Sequence, residues 1–247
     1  MKKLVVIITI LILFIPKVNA STSSASSYIL MDSTTGRVLM SKDMHTRRLI
    51  ASITKIMTAT LAIESGKLND VVEVSPIIKE AYGSGIYIEL GEEITLKDLV
   101  YGLMLRSGND AAMMISEYIG GTTEEFVNMM NKKAKELGMK ETTFYNPSGL
   151  PTPSGNYSSV YDMAILTKYA MNSPVYQEIV KTKTYKVTTN KKTYLWHNKN
   201  KLLKYDYITG GKTGYTEESG RTLVSTANID NMSLIVVTIR DSDDWNT

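Results

Sequence analysis

The sequence predicts a single α+β domain, an antiparallel sheet built from strands at both ends of the chain with helices inserted between them. Three observations carry that expectation. YILMDSTTGRVLMSK, from Tyr28 to Lys42, shows two apolar runs around a polar turn ending in glycine, the pattern of a hairpin. Residues 51–65 and much of 95–171 carry apolar residues at helical spacing. Beyond residue 182 KTYKVTTNKKTYLW has strand-like alternation, and YITGGKTGYT, GRTLVSTANID and MSLIVVTIRD read as three strands with short connections. Strands first and last, with helices between, bring the two ends of the chain into one sheet. No internal repeat and no linker points to a second folded unit.

The elements follow in order. MKK, the apolar run LVVIITILILFI and PKVNA read as a secretory signal peptide, residues 1–20, cut after Ala20. Twelve apolar residues are too few to span a bilayer comfortably. STSSASS, within residues 21–27, reads as a flexible lead-in, and the domain as residues 28–247. The helix at 51–65 has Ile53, Ile56, Met57, Thr60 and Leu61 on its apolar side. Residues 71–94 are mixed and contain the glycine-bearing YGSGIYIELG. Thr95 to Ser107 reads as a helix with Asp98 in its first turn, and GNDAAMMISEYIG as the next. TTEEFVNMMNKKAKELG has Thr122 or Thr123 as cap, acids in its first turn and Gly138 at its stop. FYNPSGLPTPSGNYSS is a loop, followed by a helix capped by Ser158 or Ser159.

Charge excludes one class of partner. The chain carries 28 basic and 25 acidic residues, and the first twenty residues hold three of the lysines and no acid. What remains is formally neutral, so nothing argues for nucleic acid. Cysteine is absent, which removes disulfides and thiolate metal sites, and a chain of this size can bury a sufficient core without them. Membrane association beyond the leader is not evident.

The stretch ASITKIM places Ser52 at the start of a helix and Lys55 one turn on. An ordinary reading makes Ser52 a helix cap. The chemical reading makes it a nucleophile where backbone N–H groups favour developing negative charge. S-x-x-K occurs roughly once by chance in a chain this long, so it decides little alone. Lys212-Thr213-Gly214 is rarer, roughly 0.05 to 0.1 per chain. Ser-Gly-Asn occurs twice. The copy at Ser154–Asn156 reads as turn chemistry, and the copy at Ser107–Asn109 lies between helices, where a loop can project into a cleft. S-x-x-K, S-G-N and K-T-G in this order are jointly improbable by chance.

On these motifs, and on LMLRSGNDAA, FYNPSGL, SSVYDMA and GGKTGYT around them, the chain resembles the low-molecular-weight penicillin-binding, serine-type D-alanyl-D-alanine carboxypeptidases from about Tyr28 to Arg240. The resemblance implies a fold like that of serine β-lactamases and transpeptidases, with about five antiparallel strands flanked by helices. It implies that Ser52 attacks a peptidoglycan stem peptide and is acylated by β-lactams, with no cofactor and no metal. Lys55 is then the base, and its amine must lose its proton readily through burial and a neighbouring cation. Lys212 supplies that cation, and Ser107 relays a proton to the leaving amine. Asn109 holds Lys55 and the substrate. Lys212 and Thr213 meet the terminal carboxylate. Gly214 leaves room for an extended substrate, and the N–H groups of Ser52 and Tyr215 form the oxyanion hole. Such a protein works on the outer side of a bacterial membrane.

A Ser-His-Asp hydrolase would use His45 or His197, but neither comes with a G-x-S-x-G elbow. A class A β-lactamase usually has S-D-N at the second motif and a later glutamate; here position 108 is glycine, and the nearest look-alike begins at Glu64, before that motif. A D,D-endopeptidase or a β-lactam sensor with little turnover stays open. The family usually continues with a helix packed on the sheet, so a fragment or a short form stays open too. Arg240 is the nearest candidate for a further carboxylate-binding arginine, and its placement is left undecided.

Overall fold

A computed structural model describes residues 23–151, 153–243 and 245. The leader at 1–20 lies outside the described residues. The main sheet has five antiparallel strands in the order β2 (Val38–Lys42), β1 (Ser27–Asp32), β11 (Met232–Asp241), β10 (Gly220–Ile229) and β9 (Ile208–Thr216). The N-terminal hairpin therefore joins the C-terminal strands through the β1–β11 ladder, where Ile29 faces Val237 across the pair. The fold is the expected α+β arrangement.

Alternation in β1 explains how the sheet meets its helices. Ile29 and Met31 are buried with Ile235, Val237 and Ile239 in the core beneath the helices. Leu30, Leu234 and Val236 line the opposite face, in an open groove of about 510 Å³. The region expected as a flexible lead-in is held at its end. Ala25 is buried, the Ser26 N–H donates to the Ile239 carbonyl at 3.1 Å, and Ser24 Oγ donates to Asp241. These bonds extend the sheet edge before the first apolar alternation begins.

Six α-helices are described: α1 (Lys55–Glu64), α2 (Leu96–Arg106), α3 (Asn109–Gly120), α4 (Thr123–Glu136), α5 (Val160–Ala170) and α6 (Pro174–Lys181). Their starts follow capping chemistry. Thr95, Thr122 and Ser159 each accept the N–H three residues on, which decides for Thr122 and Ser159 between the candidate caps. Gly138, at φ +75, ends the turn after α4 in the left-handed region that glycine enters freely. α6 is not among the predicted helices, although Ser173 and Pro174 form an ordinary start signal.

Small pairs complete the fold. β3 (Arg48–Leu49) pairs with β6 (Tyr157–Ser158), and β4 (Val71–Glu73) with β5 (Glu93–Thr95). β7 (Thr184–Thr188) and β8 (Thr193–His197) form a sheet of their own rather than extending the main one. Their inner face is aromatic. Tyr185 stacks on Tyr101 of α2 with centroids 3.6 Å apart, and Trp196 is buried beside them. That stack holds the hairpin on α2 instead of at the sheet edge.

Candidate active site

Three segments meet at one cleft. The start of α1, preceded by a 3-10 turn over Ala51–Thr54, brings Ser52 and Lys55. The α2–α3 connection brings Ser107 and Asn109. The edge strand β9 brings Lys212, Thr213 and Gly214.

Ser52 caps no helix, because neither the 3-10 turn nor α1 has a side-chain cap bond. Its hydroxyl lies 3.0 Å from Lys55 Nζ instead. Lys55 is fully buried, and Nζ also donates to Asn109 Oδ1 at 2.8 Å and to the Ser148 carbonyl at 2.6 Å. Burial first, then the ammonium of Lys212, then that of Lys199, hold its pKa well below the ordinary lysine value. A neutral lysine keeps two N–H bonds and one lone pair. Asn109 Oδ1 and the Ser148 carbonyl match the two donors, and the lone pair is left facing the Ser52 hydroxyl.

Lys212 is also buried. Its Nζ donates to Ser107 Oγ at 3.1 Å and to the Thr213 carbonyl at 2.6 Å. Burial, with Lys199 adding repulsion, brings its pKa down to about 7. Ser107 sits at φ +64, a left-handed end to α2 that serine enters at a cost of roughly 1–2 kcal/mol. That bend turns its hydroxyl toward Lys212. Gly108 is confined: a side chain there would meet Asp110 Oδ1 at 2.9 Å and Ile86 Cγ2 at 3.0 Å, so an aspartate at this position would require those side chains to shift.

Gly214 lies where β9 passes close to the nucleophile turn. A side chain at 214 would strike Thr222 Oγ1 and come within 2.8 Å of the Ser52 nitrogen. The absence of a side chain lets the nucleophile turn approach the strand, with the Ser52 nitrogen beside Gly214. Arg240 packs beside Gly220 at the turn between β9 and β10. Glu64 lies nine residues along α1 from Lys55, roughly 14 Å by helical rise. There it accepts from Tyr169 and pairs with Lys133 at 3.1 Å, away from the cleft. His45 stands beside Glu141 at 3.5 Å, and His197 Nδ1 beside Thr184 Oγ1 at 3.1 Å, both on exposed surfaces away from Ser52.

Sequence reasoning missed three contributors. The first is Ser148, which acts through its carbonyl; no side-chain pattern marks a carbonyl. The second is Asn156, in the Ser-Gly-Asn copy taken for turn chemistry. It is buried and accepts the N–H groups of Tyr145 (2.7 Å) and Asn146 (3.1 Å). It donates to Thr54 Oγ1 at 3.0 Å and to the Asn146 carbonyl at 2.8 Å, and so ties the loop carrying Ser148 to the nucleophile turn. Gly149 permits that closeness, because a Cβ at its φ of +86 would overlap the Ala51 carbonyl. The third is Lys199, whose Nζ donates to Ser84 Oγ at 3.2 Å at the cleft rim. Among the described residues, no group of three or more His, Asp and Glu is placed to hold a metal ion.

Comparison with known proteins gives the family and the fold. The sequence profile of the family described as D-alanyl-D-alanine carboxypeptidase matches residues 16–243. D-alanyl-D-alanine carboxypeptidase DacF of Bacillus subtilis is 45% identical over 224 residues, covering 86% of this chain and 56% of that protein. DacC of Escherichia coli is 34% identical, covering 90% and 58%. The chain thus spans just over half the length of these curated relatives. Among solved structures, a D-alanyl-D-alanine carboxypeptidase of Mycobacterium tuberculosis superposes with a TM-score of 0.87 at 29% identity, covering 92% of this chain and 86% of that one. A mutant DD-transpeptidase of Streptomyces gives 0.85 at 30% identity, covering 89% and 92%. These neighbours share the five-stranded, helix-flanked fold.

Proposed function

We propose that this chain, which belongs to the D-alanyl-D-alanine carboxypeptidase family, is a serine-type hydrolase that removes the terminal D-alanine from peptidoglycan stem peptides. The observation that carries the reading is the setting of Lys55: a buried amine whose two acceptors are supplied by Asn109 and Ser148 and whose third neighbour is the Ser52 hydroxyl. Serine is a weak nucleophile and needs such a base.

In the first half-reaction, Ser52 Oγ bonds to the carbonyl carbon of the penultimate D-alanine, and its proton passes to Lys55 Nζ. The oxyanion is held by the N–H groups of Ser52 and Tyr215. The C–N bond breaks as the proton taken up by Lys55 passes on through Ser107 to the leaving nitrogen, so that free D-alanine departs and Lys55 is neutral again. Lys212 and Thr213 hold its carboxylate, and Asn109 holds the substrate backbone and Lys55. In the second half-reaction, water adds to the ester carbonyl and gives up a proton to Lys55, and Ser52 is released. A β-lactam forms the same ester and leaves slowly. A neutral surface and residues 1–20 as an export signal fit work on the outer side of a bacterial membrane.

The test supplies the purified protein with a fluorescent penicillin and with a pentapeptide ending in D-Ala-D-Ala. Covalent labelling and D-alanine release are expected from the native chain, and neither from Ser52→Ala. If Ser52→Ala labels as well as the native chain, Ser52 is not the nucleophile. Cleavage of cross-linked muropeptides with no release from the pentapeptide would make it an endopeptidase instead.

A further inference from the structure

Tyr87 adopts a backbone that large side chains avoid. Its φ is +61, in the left-handed region, yet its side chain is 73% exposed. The conformation is held from both sides. Its N–H donates to Asp110 Oδ2 at 2.7 Å, and its carbonyl accepts from Lys192 Nζ at 2.9 Å. Its neighbours Ile86 and Ile88 are buried. Asparagine or glycine would take this backbone with less strain and forfeit little packing. A strained backbone that is over-determined by its surroundings is characteristic of ligand sites.

Position gives the strain a use. Tyr87 closes the loop Tyr82–Tyr87, which backs the second motif. The Asn109 N–H donates to the Ser84 carbonyl at 2.7 Å, and Asn109 Nδ2 donates to the Tyr82 carbonyl at 2.5 Å. The Tyr87 ring lies along Gly85, where an added Cβ would be 3.5 Å from Cδ1 and Cε1. The ring thus lies along the loop that backs the second motif, with most of its surface open to solvent. Beside its backbone stands a charged pair, Lys192 and Glu89 at 2.7 Å.

We propose that Tyr87 is a stacking plate for a sugar ring of the glycan strand that bears the stem peptide. The ligand class follows from the chemistry. A pyranose presents an apolar C–H face that suits a fixed aromatic ring and hydroxyls that suit a charged rim. The assignment rests on the D,D-peptidase reading only for the identity of the glycan.

The test measures D-alanine release from a free pentapeptide and from the same peptide on its disaccharide, for the native chain, Tyr87→Asn and Tyr87→Trp. Tyr87→Asn is expected to lower kcat/KM on the disaccharide substrate about 3- to 10-fold, mostly through KM, the worth of one aromatic contact. On the free peptide it should change little, penicillin labelling should hold, and Tm should hold or rise. Tyr87→Trp should restore the disaccharide preference. Equal losses on both substrates would make Tyr87 a peptide contact, and no loss on either would leave the ring without this role; both overturn the proposal. Saturation-transfer NMR with a peptide-free oligosaccharide of the glycan reads the plate without turnover. Contact that persists in Tyr87→Asn also overturns it. If the native chain releases D-alanine from neither substrate while that contact is seen and lost in Tyr87→Asn, the enzymatic reading fails and the sugar site stands.

Discussion

The two walls of the cleft each bury a lysine, but they hold it by different means. On the helical wall, Lys55 is fixed by a side-chain amide from α3 and a carbonyl from a remote loop, beside a residue at positive φ, Ala51. On the strand wall, Lys212 rides a regular ladder, with Thr213 facing Leu223 and Gly214 facing Thr222 on β10. Its fixed partners are the next residue's carbonyl and Ser107. On the proposed reading, the helical wall serves a proton transfer that needs one geometry. The strand wall presents a cation along an edge that can receive an extended peptide. The difference teaches that the reactive wall depends on tertiary contacts and the binding wall mainly on secondary structure.

The largest effect should come from removing the base. Lys55→Met keeps the chain's length and apolar stem and deletes the amine. We expect penicillin acylation to fall about 10²- to 10⁴-fold, the range for a general base. Lys55→Arg should not rescue it, because a guanidinium does not give up its proton near neutrality. Single-turnover labelling of the two variants and of Lys212→Met checks the comparison. If Lys212→Met loses acylation while Lys55→Met keeps it, the roles of the two walls are reversed.

A smaller effect should separate the walls by stability. Asn156→Ala removes four hydrogen bonds, one buried and three part-buried, that order the Ser148 loop and tie it to the nucleophile turn. Orphaned buried groups cost about 1–3 kcal/mol each, with some relief from water. A loss of about 3 kcal/mol, or roughly 6–12 °C in Tm for a domain of this size, is expected, with slower acylation. On the other wall, Thr222→Ala deletes one bond, to the Ile50 carbonyl at 3.1 Å, and should cost about 1 kcal/mol. Thermal unfolding of both variants checks the contrast, and equal losses would break it.

The same contrast explains what the sequence makes legible. β9, β10 and β11 are legible as three strand-like runs with short connections, so the strand wall can be read with its K-T-G. The helical wall is legible only where a side-chain type announces chemistry, at Ser52, Lys55, Ser107 and Asn109. Ser148 contributes a carbonyl, and Asn156 resembles any turn asparagine until the loop is folded. Gly214 is legible as a close approach but not as an approach to Ser52, because the partner lies more than 150 residues away. α6 had a clear start signal and a short body, and eight residues give periodicity little room. The β7–β8 hairpin is legible as strands, but its separation from the main sheet comes from a tyrosine stack that pairing patterns do not encode.

The smallest effect is the most discriminating, because it tests whether the two lysines work as a pair under one control. Lys199 stands at the rim, and its charge holds down the pKa of both, after burial in the case of Lys212 and after burial and Lys212 in the case of Lys55. Acylation needs Lys55 neutral, which sets the acid limb of kcat/KM. Carboxylate binding needs Lys212 charged, which sets an alkaline limb from a group near pH 7. Removing a nearby cation favours the charged form, so Lys199→Met must raise both pKa values. Both limbs then move to higher pH. Activity at low pH falls, because Lys55 is more often protonated, and activity at high pH rises, because Lys212 keeps its proton longer. The change at any one pH should stay within about tenfold, and Lys199→Arg should preserve the native profile. A pH profile of kcat/KM on the pentapeptide reads this directly. Limbs moving in opposite directions would mean that Lys199 acts by holding Ser84 and the cleft wall, rather than by charge.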